Sequence, residues 1–226
     1  MMKAIIILSL VAQVFAAAIS HEPNSSDDTS TRPFPLPPFP GNGPDPDKVQ
    51  IIGLTHGGTG CPSGSVGHVL SDDRTVMTLI FDKYVAAIGP GIPITDSRKN
   101  CQLNINLRYP GGFQYSIFSA DYRGYANLDR GVQGVQKSTY YFSGQTQQAS
   151  TATQWNGPLD KDYVLHDETD HASTVWSPCG ANGALNINSQ IRLTSSNRNA
   201  QGVLTTDSID ASFRQIVHVR WQKCKA

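Results

Sequence analysis

The chain of 226 residues carries 18 basic and 18 acidic side chains, so its net charge is zero and it has no field to gather nucleic acid or anionic membrane. Once an export signal is removed, roughly 200 residues remain, enough for one domain with a sizeable core and too few for two. Its only glutamates are Glu22 and Glu168, so a hydrolase built on paired carboxylates would rest almost wholly on aspartates.

In chain order, Lys3 precedes an apolar run from Ala4 to Val11, followed by Val14, Phe15 and the small residues Ala16, Ala17 and Ala18. This order of charge, apolar run and small residues is that of a secretory signal peptide, assigned to residues 1–18. Residues 19–48 are rich in Pro, Ser and Asp and are expected to form a linker that prefers polyproline II. Asn24 heads an Asn-Ser-Ser acceptor for N-glycosylation within it. Cleavage after Ser20 would expose His21 as a terminal copper ligand, but the linker would separate it from the folded domain, and the expectation is that no cofactor is bound. No other apolar stretch approaches the length of a membrane span, and the C-terminus has no hydrophobic tail for a lipid anchor.

From Val49 to the end, short alternating runs are separated by Gly, Pro, Asn and Asp. Leu103, Ile105 and Leu107 alternate with polar residues, as do Leu185 and Ile187, then Ile191 and Leu193, and finally Val217, Val219 and Trp221. Period two predicts half-buried strands, with further strands over Val76–Phe81, Phe113–Tyr122, Gly134–Phe142 and Tyr163–His166. About ten strands predict an all-β domain, an antiparallel β-sandwich or jelly-roll-like fold. The segment from Arg74 to Ala87 also has helical spacing, but its β-branched and aromatic content favours strand. In Phe113–Tyr122, strict alternation sets Phe113, Tyr115 and Ile117 on one face and Phe118 and Tyr122 on the other.

Cys61, Cys101, Cys179 and Cys224 form an even set in an exported chain, which predicts two disulfides with three possible connectivities. The sequential pairing is favoured. Its spans of 40 and 45 residues would each stabilise by about 4 kcal/mol in the chain-entropy model.

Catalytic motifs are missing: there is no Gly-x-Ser-x-Gly elbow and no phosphate-binding loop. The aspartate pairs Asp72/Asp73, Asp160/Asp162 and Asp207/Asp210 sit beside turn-forming residues, where Asp bends and caps the backbone. The densest group of metal-ligand types is His166, Asp167, Glu168, Asp170 and His171, whose spacing matches no strong site pattern and reads first as a solvated loop. Aromatic rings beside Asn and Gln are how β-sandwich domains hold sugars, and Tyr122, Tyr125 and Trp155 are the candidates for that role.

The segments around Gly58-Thr-Gly-Cys61, Ser71 to Tyr84, Asn100-Cys-Gln-Leu-Asn104, Tyr122-Arg-Gly-Tyr125, Trp176-Ser-Pro-Cys-Gly180 and Trp221-Gln-Lys-Cys224 resemble, in this order, a family of secreted, mostly fungal proteins classified as a domain of unknown function. The resemblance covers nearly all of Gly53 to Cys224 and implies two disulfides and no catalytic residue. The expected function is non-catalytic: a secreted monomer acting at a cell wall or host surface, with a polysaccharide as partner. The alternatives are a hydrolase or lyase using aspartates or a metal, and an effector binding a host extracellular protein.

Overall fold

The computed structural model describes residues 43–169, 175–180, 183–205 and 213–225. Asn24, Asp170, His171, Asp207 and Asp210 lie outside the described residues. The strands among them are β1 (Gln50–Gly57), β2 (Val66–Leu70), β3 (Val76–Phe81), β4 (Ala86–Ile88), β5 (Arg98–Arg108), β6 (Phe113–Leu128), β7 (Val132–Phe142), β8 (Gln148–Asn156), β9 (Leu159–Glu168), β10 (Gly183–Ser195), β11 (Gly202–Thr205) and β12 (Phe213–Lys223).

They form two antiparallel sheets packed as a sandwich. The first has the order β1-β5-β10-β7-β8. In the second, β2, β3 and β12 lead to the long strand β6, whose Phe113–Arg123 stretch pairs with β12 while Tyr125–Leu128 pairs with β11, itself flanked by β4. Strand β9 runs along the other side of β6, from Ser119 to Leu128. Within the segment with competing helical spacing, Val76–Phe81 is strand: β3 pairs on both sides, with β2 and β12, and buries Met77, Leu79 and Phe81.

Alternation decides which residues reach the core. Leu103, Ile105 and Leu107 of β5, Leu185, Ile187, Ile191 and Leu193 of β10, and Val217 and Val219 of β12 are all buried. The tetrapeptide Leu-Asn-Ile-Asn, present at Leu103 and at Leu185, pairs with itself across β5 and β10, so that Leu103 faces Ile187 and Asn104 faces Asn186. Asn104 Nδ2 donates to Asn186 Oδ1 at 2.9 Å on the polar side of that rung.

The core also holds a polar network across the two sheets. The hydroxyls of Tyr122 and Tyr140 share a hydrogen bond of 2.8 Å, Tyr122 shares another of 2.8 Å with Thr151, and Gln215 Nε2 donates to Tyr140 at 2.8 Å. Satisfying phenols inside the sandwich favours one register over its neighbours, because a slip would leave them unpaired.

One irregularity governs the face of β6. Val219 faces Ile117 and His218 faces Ser119, so Phe118 is an extra residue on β6, a β-bulge. The bulge inverts the alternation downstream, and Tyr122, which strict alternation sets opposite Tyr115, points inward with it.

The cysteines pair as Cys61–Cys101 and Cys179–Cys224. The first ties the loop after β1 to β5; the second ties the segment 175–180 to the end of β12.

Candidate functional site

The structure brings together two groups of side chains that suit ligands. One lies between the β7–β8 loop and the segment 175–180, which is strapped across the start of β6. Ser177 N donates to Tyr115 O at 2.8 Å, Tyr115 N donates to Ser177 Oγ at 3.0 Å, and Gly180 N donates to Phe113 O at 2.9 Å. The Tyr109 hydroxyl donates to Pro178 O at 2.7 Å, and Trp176 bridges to Ser116. The opposite wall is held by Ser143 N donating to Ala184 O at 3.0 Å and Asn186 Nδ2 donating to Ser143 Oγ at 2.9 Å.

Between these walls runs a shallow, open cleft of about 540 Å³ lined by Gln114, Gln145, Thr146, Gln147 and Trp176, with Gly144, Ser177, Pro178 and Cys179 completing it. Every lining side chain among the described residues is uncharged. Amides and hydroxyls that donate and accept, beside one indole face, suit the hydroxyls and apolar ring face of a neutral sugar.

The second group lies on the outer face of the second sheet. Asp121 of β6 is the direct cross-strand partner of His166 on β9, and His218 of β12 faces Ser119, one step along the same face of β6. His166 Nδ1 donates to Asp121 Oδ1 at 2.5 Å, and His218 Nε2 donates to Asp121 Oδ2 at 2.9 Å. His166 Nε2 lies 3.7 Å from Glu168 Oε1. Burial by itself would push the Asp121 carboxyl up, but the bonds from His218 and His166 outweigh it and hold the group below its ordinary range.

The sugar-contact candidates from the sequence fall elsewhere. Tyr122 is fully buried, a consequence of the bulge, and burial pushes its phenol up so that it stays neutral. Trp155 is 9% exposed and packs against Tyr163 with ring centroids 4.8 Å apart. Both side chains are core, and neither reaches solvent enough to stack on a sugar. Tyr125 remains on the outer face, where its hydroxyl donates to Asp160 Oδ1 at 2.6 Å. Trp176 was legible as part of a motif, yet nothing local to it indicates the glutamines of β6 and the β7–β8 loop that meet it.

The acidic and histidine run is divided by the pleat of β9. His166 and Glu168 share the outer face, whereas Asp167 turns to the other side and accepts from Thr153 Oγ1 at 3.1 Å. Burial pushes the Asp167 carboxyl up, against the bond from Thr153. Neighbours in sequence thus separate, while Asp121 and His218, which no local pattern singled out, join His166. Asp73 is used in the β2–β3 turn, where it accepts from Ser71 Oγ at 2.6 Å.

Residues 47–224 match the model of a domain of unknown function, DUF4360, and the chain belongs to that family. An uncharacterized secreted protein of Arthroderma benhamiae is 63% identical over 99% of both chains, and the present protein is secreted. Among solved structures, TmCBM61 in complex with β-1,4-galactotriose covers 77% of this chain and 91% of its own, at 10% identity and a TM-score of 0.26. The family 11 carbohydrate-binding module of Clostridium thermocellum, in complex with a β-1,3-1,4-mixed-linked tetrasaccharide, covers the same shares at 6% identity and a TM-score of 0.23. Likeness at that level carries no argument about ligand.

Proposed function

We propose that this secreted member of a family of unknown function is a non-catalytic binding module that holds a neutral polysaccharide of a cell wall or matrix in the cleft at Trp176. The observation that carries this reading is the lining: Gln114, Gln145, Thr146, Gln147 and Trp176 offer paired donors and acceptors around an indole, with no charged side chain among the described residues. A neutral sugar exchanges its water hydrogen bonds for amide ones there, and the ring face covers the indole. The walls are fixed by backbone hydrogen bonds and by the Cys179–Cys224 bridge, so little ordering is needed on binding.

The test is partition of the purified protein between buffer and insoluble chitin, β-glucan, cellulose and xylan, with released sugars assayed in the same tubes. Retention on at least one of them without sugar release is expected, and Trp176→Ala should weaken it by about tenfold or more, a loss of about 1.4 kcal/mol. No retention on any of the four, sugar release, or undiminished retention by a folded Trp176→Ala variant would overturn the reading.

A further inference from the structure

We propose that Asp121, His166 and His218 form a binding site for a divalent transition-metal ion of the zinc class, separate from the cleft at Trp176. Two imidazoles and one carboxylate are a ligand set for such ions, and they leave at least one coordination position open. Calcium and magnesium prefer all-oxygen sites and fit this set poorly.

The geometry rests on the sheet. Three adjacent strands, β12, β6 and β9, each contribute one ligand to the same face, with Asp121 in the middle. One ring nitrogen of each histidine and a carboxylate oxygen of Asp121 all lie within 4.8 Å of one another, and the nitrogens that bond Asp121 are Nδ1 of His166 and Nε2 of His218. Zinc holds nitrogen and oxygen ligands at about 2.0–2.2 Å, so tetrahedral ligand atoms stand roughly 3.3 Å apart. Side-chain rotations on fixed strands bridge the difference.

The nitrogens that ligate the ion are those that now donate to Asp121, so binding moves each neutral ring to its other tautomer; for His218 the new N–H is at Nδ1, a buried atom without a hydrogen-bond partner among the described residues. For His166 the new N–H is at Nε2, 3.7 Å from the exposed carboxylate of Glu168.

A second observation points to a ligand at the same place. Ser119, on the face of β6 that carries Asp121 and between His218 and Glu168 on their shared rung, is fully buried, and its Oγ has no hydrogen-bond partner among the described residues. Buried hydroxyls are rarely left unpaired, and this one sits on the rung next to Asp121. His218 is 8% exposed and lies beside Phe118, ring centroids 6.0 Å apart, which supplies an apolar wall.

The experiment titrates EDTA-treated, dialysed protein with zinc sulfate by calorimetry and with cobalt chloride by visible absorption. One equivalent of zinc is expected to bind with micromolar affinity or better, and cobalt should show the intense bands of a four-coordinate site. Asp121→Asn and His218→Ala should each weaken zinc by about tenfold or more, while Trp176→Ala and His68→Ala leave it unchanged. Zinc should raise the melting temperature of the wild type and not of the variants that lose it. If His218→Ala does not fold, His166→Ala, at a half-exposed position, carries the comparison. Absence of one-equivalent binding at about 100 µM zinc, or binding undiminished in the folded ligand variants, would overturn the proposal.

Discussion

Tyr115 and Tyr122 both point into the core from one strand, although they stand an odd number of residues apart and a regular strand would set them on opposite faces. Phe118 reconciles them. As the residue β6 has in excess of β12, it turns the pleat by half a period, so that Tyr115 meets Phe142 edge-on at 5.1 Å while Tyr122 bonds Tyr140 and Thr151. The same half-turn carries Asp121 outward to meet His166 and His218.

Deleting Phe118 should keep the native faces of β6. Without the extra residue Ile117 still faces Val219 and Ser119 still faces His218, so pairing with β12 becomes regular and Tyr122, Ala126 and Leu128 stay inward. Phe118→Ala keeps the residue count and the bulge and should also fold. Thermal melts followed by circular dichroism check this: a cooperative transition is expected for the deletion as for Phe118→Ala. A deletion variant without a cooperative transition would show that the bulge itself is required for the fold.

Tyr122→Phe should destabilise without affecting polysaccharide retention. The substitution removes a buried hydroxyl that bonds both Tyr140 and Thr151 and leaves those two groups short of a partner, a loss of about 1–3 kcal/mol. Denaturant melts read the stability and the partition assay reads binding. Loss of retention in a folded Tyr122→Phe protein would relocate the binding site toward the core of β6.

Two glycines, Gly57 at the end of β1 and Gly60 in the loop after it, should behave oppositely. A Cβ at Gly60 would meet the ring of the fully buried Tyr84, which is itself packed against Phe81 and Phe213, whereas a Cβ at Gly57 meets nothing within 4 Å. Gly60→Ala should cost about 1–3 kcal/mol by overpacking, and Gly57→Ala should fall within about 0.5 kcal/mol of the wild type. Equal melting of the two variants would contradict the packing at Tyr84.

Asp73 gives an acid-dependent contribution. Burial alone would raise its carboxyl, but hydrogen bonds from Ser71 and from Thr75 outweigh it and hold the group below its ordinary value. A carboxyl depressed in the folded state stabilises above the unfolded value of about 3.9 and loses that contribution as pH falls through the folded value. The stability gap between wild type and Asp73→Ala, read from melts, should therefore be present at neutral pH and shrink in acid below about pH 4. A gap that stays constant into strong acid would remove the ionised turn as its cause.

Export, two disulfides and an all-β sandwich were legible in the sequence because each depends on local order: an apolar run behind Lys3, an even cysteine count, and period-two burial such as that of Leu103, Ile105 and Leu107. Family membership was legible through motifs spread around all four cysteines. What the tertiary structure alone decided was which faces meet. The bulge at Phe118 is a mismatch between β6 and β12, so no run of residues within β6 reveals it, and alternation read without it misplaced Tyr122. The cleft joins Gln114, the Gln145–Gln147 loop and Trp176, and the outer-face cluster joins Asp121 to His218 across 97 residues of sequence. Side chains on separate strands become neighbours through register, and register is a property of paired strands rather than of either strand's own sequence.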